Sequence, residues 1–416
     1  MDNPIIIVGA GPVGLTLALL LQQQGLPVAL FEAVNDIKPL GVGINLLPHS
    51  VRVLHNLGLA EQLDEIAIRT TALHYYNQYG QQIWAEPRGL NAGYQYPQYS
   101  IHRGKLQWLL FTEVERRLGA AAVHTGHQLK SWEDTATGVV ASFTAISGAH
   151  IEVKGRCLIA ADGIRSTARS RLFPDEGPPV YGGRILWRGT TQAAPFLDGS
   201  TMFMAGHQDC KFVAYSIANV DGPTPQALIN WIAELKVPDL PQEKQDWSKE
   251  VPTSVFKDAF ADWHFDWVDI PAIIDASNQV FEFPLADRDP LPRWTHGHMS
   301  LIGDAAHPMY PIGSNGASQG ILDAEKLASE LAKAQPLDNA FAAYEAERRP
   351  VTAKIVLSNR QNGPEQVMQI AHERAPQGFD NIEAVMPRAE LEAIAARYKQ
   401  TAGFTLAAVN RSGEST

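Results

Sequence analysis

The sequence has few of the features that mark secreted, metal-binding or membrane-spanning proteins. It holds only two cysteines, Cys157 and Cys210, in 416 residues, which excludes a disulfide framework and a four-cysteine zinc site. Its apolar runs, such as residues 14–21, are far shorter than the roughly 20 residues of a membrane span. Acidic residues outnumber basic ones by 45 to 34, which disfavours a nucleic-acid partner. We therefore expect a cytoplasmic protein with no membrane, nucleic-acid or metal partner.

The composition is that of a globular enzyme. Hydrophobic residues make up 45% of the chain and charged residues 19%, so a disordered or fibrous chain is excluded. A chain of 416 residues can form one large domain or two closely packed ones.

A glycine-rich turn follows the first predicted strand. Residues 5–8 are a β-branched apolar run, which is typical of a strand buried on both faces, and residues 15–24 have the character of a helix. In the GxGxxG spacing between them, the glycines permit a tight turn, close approach of a pyrophosphate, and close helix packing. A second strand, residues 28–31, ends at an acid that can bind ribose hydroxyls. The unit predicts a dinucleotide site, without separating FAD from NAD, formed by Gly9, Gly11, Pro12, Val13, Gly14 and Glu32.

Two more strand ends carry polar turns. Asp162 and Gly163 follow the apolar residues 157–160, although an Asp-Gly turn is also common without any function. Gly303 and Asp304 follow a short apolar strand that begins at Met299. An acid at such a strand end can bind a ribose or ribityl hydroxyl.

A loop after Asp304 leads into a helix predicted over residues 317–334. Backbone N–H groups of this loop and the positive end of the helix dipole could stabilise negative charge on a reduced cofactor. The loop residues that we single out are Pro311, Gly313, Asn315 and Gly316. Residues 106–118 and 340–359 are also predicted to be helical, and the aromatic-rich residues 184–283 predict a β-rich layer.

The three motifs, in this order and at these distances, resemble those of the single-component flavoprotein aromatic hydroxylases. The resemblance covers residues 5–359. Shorter stretches resemble the phenazine-modifying members of that family, which complete pyocyanin synthesis: residues 43–45, 86–89, 96–104, 187–189 and 287–292.

The resemblance implies an α/β (α+β) fold in which a Rossmann-like FAD-binding domain is interleaved with a β-sheet substrate domain and followed by C-terminal helices. The expected FAD-binding segments are 1–75, 101–183 and 286–375. The expected substrate-domain segments are 76–100 and 184–285, and a helical tail is expected over 376–416.

The resemblance also implies the chemistry. FAD accepts a hydride from NADH or NADPH, which visits transiently, and reacts with oxygen to a C4a-hydroperoxide that hydroxylates a planar aromatic or N-heteroaromatic substrate. Because the flavin does the chemistry, no residue is expected to act as a catalytic acid or base. Beside the first motif, the implied FAD-binding residues are Gly43, Ile44, Arg103, Leu129, Asp162, Gly163, Gly303, Asp304, Pro311, Gly313, Asn315 and Gly316.

Three residues are candidates for contact with the substrate: Tyr310, Arg188 and His102. The arginine could bind a substrate carboxylate or take part in a structural ion pair. A phenazine-carboxylate-like substrate is the first hypothesis, and a salicylate-, hydroxybenzoate- or nicotinate-type substrate is the alternative within the family. A non-oxygenating NAD-linked dehydrogenase and a flavin-binding sensor are more distant alternatives. A monomer and a homodimer are both compatible with the sequence.

Overall fold

The computed structural model describes residues 3–39, 41–239 and 249–411. Its strands are β1 (Ile5–Val8), β2 (Val28–Phe31), β3 (Gly43–Leu46), β4 (Ala67–Thr70), β5 (Ala72–Tyr76), β6 (Gln82–Pro87), β7 (Gln98–His102), β8 (Val123–His124), β9 (His127–Thr135), β10 (Gly138–Ala145), β11 (His150–Gly155), β12 (Cys157–Ala160), β13 (Val180–Ala193), β14 (Thr201–His207), β15 (Cys210–Val220), β16 (Gln226–Lys236), β17 (Lys249–Glu250), β18 (His264–Phe265), β19 (Val268–Asp269), β20 (Val280–Asp287), β21 (Thr295–His296) and β22 (Met299–Leu301).

The helices lie mostly in the first and last thirds of the chain. They are α1 (Pro12–Gln23), α2 (Pro48–Asn56), α3 (Ala60–Ile66), α4 (Arg103–Leu118), α5 (Thr167–Leu172), α6 (Ile270–Asp275), α7 (Gly316–Ala332), α8 (Leu337–Arg360), α9 (Gln366–Arg374), α10 (Ile382–Val385), α11 (Arg388–Thr401) and α12 (Leu406–Arg411). Helix α1 begins before the predicted residue 15 because Pro12, with its fixed φ, suits the first helical turn.

A six-stranded sheet in the order β21-β22-β12-β1-β2-β8 forms the centre of the first layer. Strand β1 pairs in parallel with both β2 and β12, and all four of its residues are buried. Apolar side chains on both faces of a strand require cover on both sides. Helices α1, α4 and α7 supply part of that cover, since α1 packs against both of the others.

An eight-stranded sheet in the order β17-β20-β13-β16-β15-β14-β5-β6 forms the second layer. Successive side chains along each strand point to opposite sides of the sheet, and both faces are apolar. One face carries Trp187, Phe203 and Trp231, which pack toward α6. The other face, here called the inner face, carries Leu186, Met202, Met204, Tyr215 and Ile232, which pack with residues of α9 and α11 and with Tyr310 and Ile312.

Two smaller antiparallel sheets complete the architecture. The sheet β3-β7-β4 lies close to the inner face, because β7 and β4 both contact β15. The sheet β11-β10-β9 adjoins the parallel sheet. The α/β fold class, with a parallel-sheet part, a β-rich part and C-terminal helices, is therefore confirmed.

The division into domain segments remains a prediction. Because β5 and β6 both belong to the eight-stranded sheet, we propose that the first excursion into the substrate domain begins at residue 72. Among the helices of the described ranges, none combines the length and the apolar character needed to cross a bilayer.

Candidate cofactor and substrate site

The three sequence motifs meet at one edge of the parallel sheet. Strands β22, β12 and β1 are neighbours in that sheet and run parallel. Their carboxyl ends lead into Gly303, Asp162 and Gly9 respectively. Ligands of open parallel sheets bind in the crevice outside these carboxyl ends, so the topology brings the predicted residues to one crevice.

The first glycine turn is closed to side chains at two positions and open at the third. A Cβ on Gly9, whose φ is +104°, would lie 2.4 Å from the carbonyl oxygen of Ala161, and one on Gly14 would lie 2.0 Å from that of Gly9. A Cβ on Gly11 would meet nothing within 4 Å. Helix α1 then begins without a side-chain cap, so its first N–H groups remain available for an anion. This is a cradle for a phosphate.

Glu32 lies beside this cradle and is itself hydrogen-bonded. Its Oε2 accepts from the backbone N–H of Ala10 at 2.7 Å, and its Oε1 accepts from that of Val34 at 2.8 Å. Beyond β8, the start of β9 lies beside Glu32, because His127 N–H donates to the Glu32 carbonyl at 2.7 Å. Leu129 of β9 is buried, which leaves its backbone as the part that could meet a ligand.

Asp162 organises the second motif. Its Oδ2 accepts from the backbone N–H of Thr167 at 2.8 Å, at the start of α5. Its Oδ1 is buried and has no hydrogen-bond partner. Burial raises the pKa of this carboxyl group. A buried oxygen without a partner is costly, so Asp162 Oδ1 marks a place where a ligand donor could bind. Gly163 adopts a φ of +76°, which suits glycine.

Asp304 opens onto the crevice. Its side chain is accessible to solvent, yet protein surrounds the carboxyl group closely enough that burial raises its pKa. The charges of His307 and Arg103 oppose this rise, so the arginine at the start of α4 lies near the same carboxylate. Gly316, at the start of α7, is also close, since a Cβ there would lie 4.0 Å from Asp304 Oδ1.

A buried network holds the turn at Gly303 in place. Asp323 of α7 accepts from the Gly303 N–H at 3.2 Å and from Arg348 Nε of α8 at 2.7 Å, and it also bonds to His307 Nε2. Burial opposes ionisation of Asp323, but His307 and Arg348 hold its pKa below the ordinary value. No sequence pattern indicated a role for Asp323 or Arg348, because each is a single polar residue within a predicted helix.

The loop before α7 adopts an unusual backbone conformation. Gly313 and Ser314 have φ values of +67° and +58°. Tyr398 of α11 lies against this loop: its Oη contacts the carbonyl oxygen of Ile312 at 3.2 Å and accepts from Asn315 Nδ2 at 2.9 Å. Helix α7 starts without a side-chain cap. The loop therefore presents free helix N–H groups, and a residue of the C-terminal region fixes its shape.

Gly43 is held against the inner face by three side chains. Its N–H donates to Asn230 Oδ1 at 2.6 Å, and its carbonyl accepts from Arg188 Nη2 at 2.7 Å and from Tyr215 Oη at 3.0 Å. Burial lowers the pKa of Arg188. Arg188 forms no ion pair with an acid of the described residues, and its Nε has no hydrogen-bond partner. Ile44 continues the same strand.

The other substrate candidates lie in different surroundings. His102 caps α4, since its Nδ1 accepts from the Gly104 N–H at 3.2 Å, and it pairs with Gly43 in the small sheet. Tyr310 is buried against Gly182, where a Cβ would lie 2.5 Å from the tyrosine Oη. Neither residue lines the cavity described next.

A narrow cavity lies between the Gly313–Ser314 loop, the inner face and the C-terminal helices. Its lining is Leu47, Leu73, Tyr75, Glu86, Arg88, Gln98, Met202, Met204, Gly313, Ser314, Pro364, Ala395, Tyr398, Lys399 and Phe404. Sequence reasoning missed most of these residues as site residues. Arg88 and Gln98 fall within the stretches that resemble the phenazine-modifying enzymes, but nothing in the sequence indicated that they face a cavity.

The comparison with protein families identifies the cofactor. The profile of the FAD-binding domain family matches residues 2–359. The chain belongs to the family of FAD-dependent aromatic hydroxylases. It is thus an FAD-dependent monooxygenase, and NADH or NADPH is the reductant typical of this family. The uncapped start of α1, the open space at Gly11 and the accessible Asp304 fit this cofactor.

Several characterised members of the family are similar along most of the chain. Phenazine 1,6-dicarboxylic acid hydroxylase PhzS of Lysobacter antibioticus is 44% identical over 366 residues, covering 86% of this chain and 89% of that protein. The 6-hydroxynicotinate 3-monooxygenase of Pseudomonas fluorescens is 30% identical, covering 84% and 89%. A solved salicylate hydroxylase substrate complex shares the fold with a TM-score of 0.73 at 22% identity, covering 99% and 97%.

Proposed function

We propose that this FAD-dependent hydroxylase acts on a planar N-heteroaromatic acid of the phenazine-carboxylate type. The substrate would occupy the narrow cavity between the Gly313–Ser314 loop and the inner face, which is about 20 Å³ in volume and has to widen to receive the rings. Met202 and Met204 form part of its wall, and unbranched thioether side chains adapt to flat aromatic rings. The observation that carries the proposal is the similarity to a phenazine dicarboxylate hydroxylase, which is 44% identical over 366 residues.

We further propose how the chain's residues hold FAD. The turn from Gly9 to Gly14 and the start of α1 receive the pyrophosphate, and Glu32 with the backbone at Leu129 receives the adenosine half. Asp304, Arg103 and Gly303 contact the ribityl and pyrophosphate region. The isoalloxazine lies along the loop of Pro311, Gly313, Asn315 and Gly316, with Gly43 and Ile44 on another side. Asp162 and Gly163 shape the crevice from the end of β12.

The chain supplies position, charge and protection from water. When bound, FAD takes a hydride from NADH or NADPH and activates oxygen for transfer to the substrate ring. The uncapped N-terminus of α7 stabilises negative charge beside the loop, because its N–H groups and dipole point there. Tyr398 and Phe404 close the cavity on the C-terminal side, which keeps water from the reacting atoms.

Arg188, Tyr310 and His102 keep distinct proposed roles. Arg188 bears a positive charge that no acid of the described residues pairs with, so it can hold the Gly43 carbonyl and also attract an anionic ligand. Tyr310 supports the loop through its backbone, since its carbonyl accepts from Asn359 Nδ2 at 3.1 Å. His102 stays near the flavin side of the small sheet through its pairing with Gly43.

The partners and location follow from the same reaction. We propose that the co-substrates are molecular oxygen and NADH or NADPH, and that the protein acts in the cytoplasm, where these nicotinamides are supplied. A monomer and a homodimer both remain compatible with this proposal.

A substrate panel tests the proposal. Oxidation of NADH and NADPH would be measured with phenazine-1-carboxylate, phenazine-1,6-dicarboxylate, salicylate and 6-hydroxynicotinate, and hydroxylated product would be quantified against nicotinamide consumed. We expect the phenazines to give the highest kcat/KM and the best coupling. A kcat/KM at least tenfold higher for salicylate or 6-hydroxynicotinate would refute the phenazine assignment and leave the monooxygenase assignment intact.

A further inference from the structure

A buried group of charged side chains lies at one end of the cavity. Strand β6 and helix α11 form that end. Arg88 Nη2 donates to Glu86 Oε1 at 2.6 Å, and Lys399 Nζ lies 2.7 Å from Glu86 Oε2. The side chains of Arg88 and Glu86 are only 10% and 5% exposed, and that of Lys399 is 28% exposed. All three residues line the cavity beside Gly313 and Ser314.

This group carries one more positive charge than negative charge. Glu86 is its single acid, and although burial opposes ionisation, Arg88 and Lys399 hold the pKa of Glu86 below its ordinary value. The group is therefore two cations around one carboxylate. The neighbouring buried group is balanced, because Arg184 and Lys211 pair with Glu234 and Glu365. An unbalanced buried charge is costly unless a counter-charge joins it.

Three buried polar atoms of the same wall make no hydrogen bond, and only one of them, Glu86 Oε2, has an ion-pair partner, Lys399. Arg88 is 9% exposed, and its Nε has no hydrogen-bond partner. Tyr75 is 1% exposed and lies beside Arg88, and its Oη makes no hydrogen bond of ordinary geometry. Each unmade bond of this kind costs about 1–3 kcal/mol. An arginine donor, a hydroxyl and a surplus positive charge at one cavity end match the needs of a carboxylate.

We propose that Arg88, supported by Lys399 and Tyr75, binds a carboxylate group of the aromatic substrate and thereby determines its specificity. The inference rests on the proposed function in one respect only, namely that the cavity beside Gly313 and Ser314 receives the aromatic substrate. Arg188 also has an Nε without a hydrogen-bond partner, but Arg188 does not line this cavity. Arg88 has an unused donor at the cavity wall.

The proposal is tested with matched pairs of ligands that differ in one charge. Dissociation constants for phenazine-1-carboxylate and phenazine-1-carboxamide, and for salicylate and salicylamide, would be measured on the holoenzyme from perturbation of the flavin absorbance. We expect the native protein to prefer the acid of whichever pair it binds. Arg88→Gln should reduce that preference about 10- to 100-fold. The amide should bind the variant about as tightly as it binds the native protein.

Two further variants keep the result interpretable. Lys399→Gln leaves the Arg88–Glu86 pair neutral, so we expect an intermediate loss of preference. Arg88→Lys keeps the positive charge but removes the guanidinium group. We expect this variant to prefer the acid over the amide more strongly than Arg88→Gln does, but less strongly than the native protein does. FAD content and melting temperature identify any variant that fails to fold, and Lys399→Gln then serves as the test because Lys399 is the most exposed member.

The outcomes separate this inference from the proposed function. If the native protein binds acid and amide equally, or if Arg88→Gln and Lys399→Gln both retain the native preference, the carboxylate site at Arg88 is wrong. If only the salicylate pair binds, the phenazine assignment fails, while the response of that pair to Arg88→Gln still decides the role of Arg88.

Discussion

Replacing Gly313 by alanine should disrupt the loop that we place along the flavin. The native φ of +67° costs an L-residue roughly 1–2 kcal/mol. A Cβ there would also lie 2.1 Å from Tyr398 Oη, with two ring carbons within 2.5 Å. Overpacking of this kind typically costs about 1–3 kcal/mol. The two contributions together predict a loss of about 2–5 kcal/mol in the free energy of unfolding.

The assay is urea unfolding of the apoprotein and the holoprotein, combined with the FAD dissociation constant and the rate of flavin reduction by NADH. Ser314→Gly is the matched control, because Ser314 is a non-glycine residue with a φ of +58° in the same loop. Relief of strain there, about 1–2 kcal/mol, is partly offset by the greater freedom of glycine in the unfolded chain, about 0.4–1 kcal/mol, so we expect a net change between zero and a stabilisation of about 1.6 kcal/mol.

Two results would refute parts of this reasoning. If Gly313→Ala unfolds within about 0.5 kcal/mol of the native protein, which is the usual range for surface substitutions, Tyr398 does not restrain the loop. If stability falls as expected while FAD affinity, reduction rate and coupling of nicotinamide oxidation to product stay native, the loop is a connector that does not contact the flavin.

Two further predictions concern the ends of the cofactor crevice. Glu32→Gln removes the carboxylate charge that accepts hydrogen bonds from the backbone N–H groups of Ala10 and Val34. We therefore expect FAD to bind roughly tenfold more weakly, while the preference between NADH and NADPH, measured by steady-state kinetics, stays unchanged. A switched preference would place the nicotinamide at the glycine turn. Burial, together with Arg348 and Arg52, lowers the pKa of His49 to about 3 in the folded protein. In the unfolded chain the same imidazole is protonated below about pH 6.5. The stability that neutral His49 contributes is therefore complete above about pH 6.5 and is lost as the pH falls toward 3. The stability difference between native protein and His49→Gln should therefore shrink by about 1.4 kcal/mol from pH 7.5 to pH 5.5, and an identical difference in urea unfolding at both pH values would contradict the assignment.

The sequence predicted the features that depend on local patterns. The strand-glycine-helix unit at Gly9 and the strand end at Gly303 can each be recognised from a few consecutive residues, because tight turns and close backbone approach require particular residue types. The topology of the parallel sheet brings these two positions and Asp162 to one edge.

The cavity could not be predicted in the same way. Tyr75, Arg88 and Lys399 belong to strand β5, the end of strand β6 and helix α11, and only the packing of α11 against the inner face brings them together. Each of these residues, taken alone, has an ordinary structural explanation. The contact between Gly313 and Tyr398 could not be predicted either, because Tyr398 is 85 residues away along the chain.

The parallel sheet is completed by β22, and the loop after it is held by Tyr398 of α11. The cofactor crevice is therefore unfinished until almost the whole chain has left the ribosome, although its glycine turn is among the first segments to be made. Nascent chains usually fold from the N-terminus, but here β1 must wait for its neighbour β12, about 150 residues away, and β12 must wait for β22, about 140 residues further along the chain. We therefore expect uptake of FAD to be a late event in biosynthesis, and a chain that terminates before α11 to carry the binding motif without the finished site.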